Sequence, residues 1–120
     1  MGNDESKFFP EELKKYRTRK DIGKGGIKVN FLVNYGWEWD VAGINSSGRK
    51  NILSNLKSKD ISRIDLVVRW GGRRRLSGLL PIQSVYSDFY VIDEMWPDFK
   101  PKHFYDAISW YDKQDITLGG

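Results

Sequence analysis

The chain has 120 residues, enough to fill one compact domain that buries about two thirds of its unfolded surface without help from a metal or a crosslink. It has no cysteine, which excludes a disulfide framework, a thiolate zinc site and a cysteine nucleophile, and 14% aromatic residues, which excludes a wholly disordered chain. The net charge of +4 is uneven: residues 1–80 carry 17 Lys/Arg against 9 Asp/Glu, and residues 81–120 carry 3 against 7. A basic face for an anionic partner, or two halves that neutralise each other, both fit that split.

Residues 1–7 are polar and expected to be disordered, with a single domain over residues 8–118. Pro10-Glu11-Glu12 suits the first turn of a helix carrying Phe9, Leu13 and Tyr16 on one side. Gly23 to Gly26 ends it. From Ile27 to Val41 every odd position is apolar, a period of two that predicts a long strand, bent or bulged at Gly36, with one buried face. A short helix is predicted at about 48–58. A strand at 62–70 should bury Ile64, Leu66, Val68 and Trp70, paired with a neighbour from Leu76 to Ile82 that Pro81 ends. A further strand is predicted at 85–93, and a closing helix from Pro101 to about Lys113 with Phe104, Ile108 and Tyr111 inward. The order predicts an α+β single domain: a mostly antiparallel twisted β-sheet of about four to six strands packed with two or three helices.

Trp70-Gly71-Gly72-Arg73-Arg74-Arg75-Leu76-Ser77-Gly78 is the most informative stretch. A two-residue turn at Gly71-Gly72 would set Arg73 and Arg75 on the buried face, at a prohibitive desolvation cost. An odd-length hairpin loop keeps Leu66, Val68 and Leu76 inside and sends the arginines out. Arginine is suited to phosphate because its planar fork donates two parallel hydrogen bonds. Arg63 and Arg69, placed on the exposed face of the preceding strand, extend the expected basic stripe, and Arg49 and Lys50 sit ahead of the short helix. The residues expected to meet phosphate or a partner are therefore Arg63, Arg69, Arg73, Arg74, Arg75, Arg49 and Lys50. Trp96 and Phe99, in a Trp-Pro-Asp-Phe loop, are candidate aromatic anchors.

Catalytic chemistry is poorly represented. His103 is the single histidine, no catalytic or metal-ligating set is assigned, and no cofactor motif occurs. A nuclease built on Glu94, His103 and the arginines has no motif behind it. No RNA-recognition module, helix-turn-helix, zinc-finger or OB-fold signature is present. The leading expectation is a small non-enzymatic protein engaging nucleic acid, RNA ahead of DNA. The alternative is a protein–protein inhibitor or adaptor, of phage or virus accessory type, meeting an acidic protein surface through the arginine turn and exposed aromatics. No apolar run approaches the ~18 residues of a membrane span, and the first residues lack a secretion signal, so a cytoplasmic setting is expected. Gly2 with Ser6 fits a myristoylation pattern, which would add a lipid anchor.

Overall fold

The computed structural model describes residues 1–16, 25–44 and 52–115. The chain divides into two compact units, Met1–Asp60 and Ile61–Gly120.

In the first unit a 3-10 helix spans Glu11–Tyr16, with the two acids in its first turn. Residues 1–3 run beside 33–34: the Val33 amide donates to the Met1 carbonyl at 2.8 Å and the Asn3 amide to the Asn34 carbonyl at 3.1 Å. The alternation from Ile27 to Val41 does not make one long strand. Residues 27–32 belong to no strand or helix, and the side chains of Ile27, Val29 and Phe31 face solvent, with Ile27 93% exposed. From Trp37 to Val41 the chain is instead a helix, α1, entered through an extended Gly36. The overriding force is a buried carboxylate. Asp40 is 1% exposed and accepts hydrogen bonds from the Tyr35 hydroxyl (2.8 Å), the Ser58 amide (2.7 Å) and the Ser58 hydroxyl (2.7 Å). A strand would set Asp40 on the face opposite Trp39 and Val41; the helical turn delivers it to Ser58 instead. Helix α2, Ile52–Asn55, precedes the buried Leu56.

In the second unit, strand β1 (Leu66–Trp70) pairs with strand β2 (Asp88–Ile92) in parallel, Leu66 against Asp88 and Trp70 against Ile92. This corrects the expected antiparallel sheet of four to six strands: the described residues hold one parallel two-stranded sheet and three α-helices. The reason lies in residues 71–87. Leu76 to Ile82, expected to be the partner strand, is a chain of turns. Ser77 and Leu80 adopt left-handed backbone (φ 53° and 40°), and Gly78 does too. Pro81 has no amide to give a ladder. These turns bury Leu80 and Gln83 and make the segment a crossover that returns the chain to the start of β2. There the Ser87 hydroxyl donates to the Ile64 carbonyl at 2.6 Å. Val67 and Ile92 are buried while Leu66 and Val68 are half-buried, so the face predicted from period two is displaced by one residue.

A 3-10 turn at Trp96–Asp98 leads into helix α3, Pro101–Tyr111, where Pro101 stands at the start as expected. The inward face is not Phe104 and Ile108, which are exposed, but His103, Ala107 and Trp110; Trp110 lies against Tyr90 of β2 with ring centroids 5.3 Å apart. Ala107 has no exposed surface. Ala107→Leu therefore forces extra methylenes into a filled site, and an expected loss of about 1–3 kcal/mol should be visible as a lowered urea midpoint.

Candidate functional site

The arginine turn begins where β1 ends. The ladder continues one step beyond the strands: the Gly71 amide donates to the Glu94 carbonyl at 2.8 Å and the Gly72 amide to the Ile92 carbonyl at 3.0 Å. Both glycines have φ near +83° and +65°, a conformation that other residues enter only with strain. The chain thus leaves the carboxyl end of a parallel strand in a fixed direction, and Arg73, Arg74 and Arg75 follow, all exposed. They are not at a hairpin tip, because no hairpin forms; they open the crossover.

Arg69 is not part of an exposed stripe. Its guanidinium folds back on the turn, with Nη1 donating to the Arg75 carbonyl and, at 3.0 Å, to the Ser77 hydroxyl. One cation thereby ties the last arginine and the residue two beyond it to the strand end. Arg63 lies at the other end of β1, in line with the Tyr86 ring at 5.1 Å and 3.7 Å from Asp65 Oδ1. At about 3.3 Å per residue it stands roughly 20 Å along the chain from Arg69, so the expected five-guanidinium stripe is broken. Arg49 and Lys50 fall outside the described residues. Among the described residues no carboxylate pairs with the guanidinium of Arg73, Arg74 or Arg75.

The far side of the turn is aromatic. Trp70, the last residue of β1, meets Trp96 edge-on (centroids 4.8 Å) and Phe99 (5.8 Å), and Trp96 meets Phe99 at 5.5 Å. Trp96 and Phe99 keep exposed faces, yet part of each is committed to Trp70. A Cβ on Gly71 would come 3.4 Å from Met95 Sδ, and one on Gly72 3.4 Å from Asp93 Oδ1. Asp93, Glu94 and Met95 therefore bound the turn on one side, leaving the arginines open on the other.

His103 and Glu94 do come together, with Nε2 3.9 Å from Glu94 Oε1. But His103 Nδ1 faces two donors, Trp70 Nε1 at 3.2 Å and the Lys100 amide at 3.4 Å, which makes it part of the helix cap. Among the described residues no group of three or more His, Asp or Glu side chains is placed to hold a metal ion. Sequence reasoning set Trp70 inward but missed Ser77; the one available signal was that Arg69 and Ser77 flank the arginines.

In the first unit a cavity of about 520 Å³ is lined by Phe9, Trp39, Leu56, Lys57 and Lys59 among others. No helix among the described residues is long and apolar enough to cross a membrane.

Comparison with known proteins gives these arrangements a context. Residues 5–119 match the family model of prenyltransferases described as putative undecaprenyl diphosphate synthase. The chain is 33% identical to a ditrans,polycis-undecaprenyl-diphosphate synthase, (2E,6E)-farnesyl-diphosphate specific, of Photorhabdus laumondii, over 79% of this chain and 43% of that protein. It is 28% identical to the enzyme of that name from Escherichia coli K12, over 98% of this chain and 53% of that protein. A crystal structure of a probable undecaprenyl diphosphate synthase from Campylobacter jejuni superposes with a TM-score of 0.60 at 22% identity, covering 74% of this chain and 46% of the other. The chain spans about half the length of the curated relatives it matches. The likenesses overturn three expectations: a nucleic-acid-binding protein, an inhibitor or adaptor of accessory type, and a non-enzymatic role. The relatives are named as synthases of undecaprenyl diphosphate, specific for farnesyl diphosphate.

Proposed function

We propose, from the premise that this chain belongs to the undecaprenyl diphosphate synthase family of prenyltransferases, that its arginine turn binds the diphosphate group of an isoprenoid diphosphate substrate. The observation that carries the reading is the position of Arg73, Arg74 and Arg75: exposed, without carboxylate partners among the described residues, and held at the carboxyl end of a parallel strand. Ligands of parallel α/β sheets collect at that end, where the connections leave the strands. A diphosphate matches three adjacent arginines in charge and in size. Its two phosphoryl groups offer more acceptors than one guanidinium fork fills, so neighbouring forks bind the same small anion.

In prenyl transfer the carbon–oxygen bond to the allylic diphosphate breaks and its electron pair leaves with the diphosphate, while the double bond of the acceptor forms a new carbon–carbon bond to the allylic carbon and the acceptor loses a proton. Guanidinium groups that hold a diphosphate neutralise the charge it bears, whether it is the leaving group or the group retained on the acceptor. The turn is prepared for that before any ligand arrives, because Arg69 already fixes the Arg75 carbonyl and Ser77.

The test is calorimetric titration of the chain with farnesyl diphosphate, inorganic pyrophosphate and farnesol. Farnesyl diphosphate and pyrophosphate should compete for one site, and farnesol should not displace pyrophosphate. If farnesol displaces pyrophosphate, or pyrophosphate does not bind, the arginine turn is not a diphosphate site.

A further inference from the structure

The aromatic side of the turn contains a polar contact that packing alone does not require. Trp70 immediately precedes Gly71, and its indole Nε1 donates to His103 Nδ1 of α3 at 3.2 Å. The Lys100 amide is directed at the same nitrogen from 3.4 Å. Two donors aimed at one ring nitrogen leave it no proton of its own, so the ring proton sits on Nε2, facing Glu94. Glu94 in turn supplies, through its main-chain carbonyl, the acceptor for Gly71. The side chain before the turn and the first amide of the turn are therefore fixed by two residues that bear on one imidazole. His103 is mostly buried, with 11% of its side chain exposed.

We infer that His103 is a positioning residue for the arginine turn, holding Trp70 through an unprotonated Nδ1 and so setting the direction in which Gly71, Gly72 and the three arginines leave β1. This rests on the reading of the turn as the diphosphate site. His103 does not touch the ligand in this account; it acts through Trp70. Its contact with Trp70 depends on protonation state, which a purely apolar wedge would not. A proton added at Nδ1 sets an N–H against the indole N–H and against the Lys100 amide, so the Trp70 contact is lost. The same proton makes the ring a cation beside Glu94 and favours that pair instead. The groups facing the ring are accounted for. β1 offers the Trp70 indole, the segment after β2 offers Glu94, and the segment before α3 offers Phe99 and the Lys100 amide. On α3 itself Lys102 and Asp106 are paired with each other.

Two variants separate positioning from bulk. His103→Asn keeps an acceptor oxygen near the place of Nδ1 but does not titrate; His103→Phe keeps a flat ring and offers no acceptor. Each is titrated with inorganic pyrophosphate by calorimetry from pH 5.5 to 8, with thermal melts run alongside. Pyrophosphate's own titration is common to all three proteins and cancels in the ratio of affinities. At pH 7.5 His103→Phe should bind about tenfold more weakly than the starting protein, and His103→Asn within about threefold. Between pH 7.5 and 5.5 the starting protein should lose affinity about fivefold relative to His103→Asn. A ratio constant across that range overturns the inference while leaving the diphosphate site standing, as does unaltered binding by His103→Phe. Absence of pyrophosphate binding at every pH overturns both. A measurement that needs no His103 variant is the indole N–H resonance of Trp70 in the unsubstituted protein, assigned with Trp70→Phe. It should move between pH 7.5 and 5.5, and its failure to move also overturns the inference.

Discussion

Replacing Arg73, Arg74 and Arg75 together with alanine lowers the affinity for farnesyl diphosphate about a thousandfold, with the circular dichroism spectrum unchanged. Each charge-assisted hydrogen bond to a phosphoryl oxygen is worth about 1.5–3 kcal/mol. The arginines are exposed, so the low end applies, and three such bonds come to about 4.5 kcal/mol. At about 1.4 kcal/mol per decade that is roughly three decades. The fold should survive because none of the three side chains is buried. Arg63→Ala is the internal comparison. It removes one such charge from the other end of β1, and a screened charge at that distance should change affinity less than about twofold. A loss of about tenfold, one third of the decades lost by the triple variant, would mean that net charge alone holds the ligand. Arg69→Ala should fall between the two, since the arginines remain but the Arg75 carbonyl and Ser77 lose their tie.

The largest expected effect on stability is at Asp40. Asp40→Ala removes the carboxylate that the Ser58 amide and hydroxyl donate to, both in a residue with no exposed surface. Each such lost buried bond costs about 1–3 kcal/mol, so the two come to about 2–6 kcal/mol, a large fraction of the margin of any small domain. Helix α1 has five residues and is too short to persist without that anchor. Asp40→Asn is the informative contrast. Its carbonyl oxygen can still accept from the Ser58 amide, and its amide can donate to the Tyr35 and Ser58 oxygens, which as hydroxyls can accept instead of donating. A loss of only about 1 kcal/mol is expected. Urea denaturation of both variants reads the difference in midpoint; indistinguishable midpoints would mean the carboxylate contacts carry no stability.

Local signals in the sequence survived folding better than pairings did. Pro101 marks the start of α3 because its missing amide is harmless in a first turn, and residues 66–70 and 88–92 are strands because their β-branched and aromatic side chains suit an extended chain. The direction of pairing was not legible. Comparing loop lengths presupposed that residues 71–87 form a hairpin, and the left-handed backbone at Ser77 and Leu80, which breaks that premise, carries no composition signal in a serine and a leucine. The alternation from Ile27 to Val41 misled for another reason: a period of two describes which side chains share a face only if the backbone is extended throughout, and the burial of Asp40 against Ser58 selects a helix over its second half. The helical face of α3 was misplaced because Ala107, the residue with no exposed surface, is small and weighs little in an apolar count. At the site, the exposure of the three arginines was legible in the sequence, while the kind of anion proposed for them was not. A guanidinium fork meets the phosphate of a polymer and that of a small diphosphate through the same two hydrogen bonds. What narrows the choice is extent: with Arg63 at the far end of β1 and Arg69 turned inward, the cluster is one turn long, a size that suits one small anion rather than a backbone tract.

The crossover at 71–87 has a kinetic consequence. Leu66 cannot pair with Asp88 until the intervening chain has taken its turns, so the sheet and the arginine turn form in one event. Closing a connection before its contacts are rewarded is the slow step of such topologies. A ligand held by the turn would bind only after that event and would hold the crossover shut, slowing unfolding more than it speeds folding. Loop insertions, which surface connections usually tolerate, should here delay assembly of the strands themselves, and the segment that carries the three arginines is not free to lengthen independently of the fold.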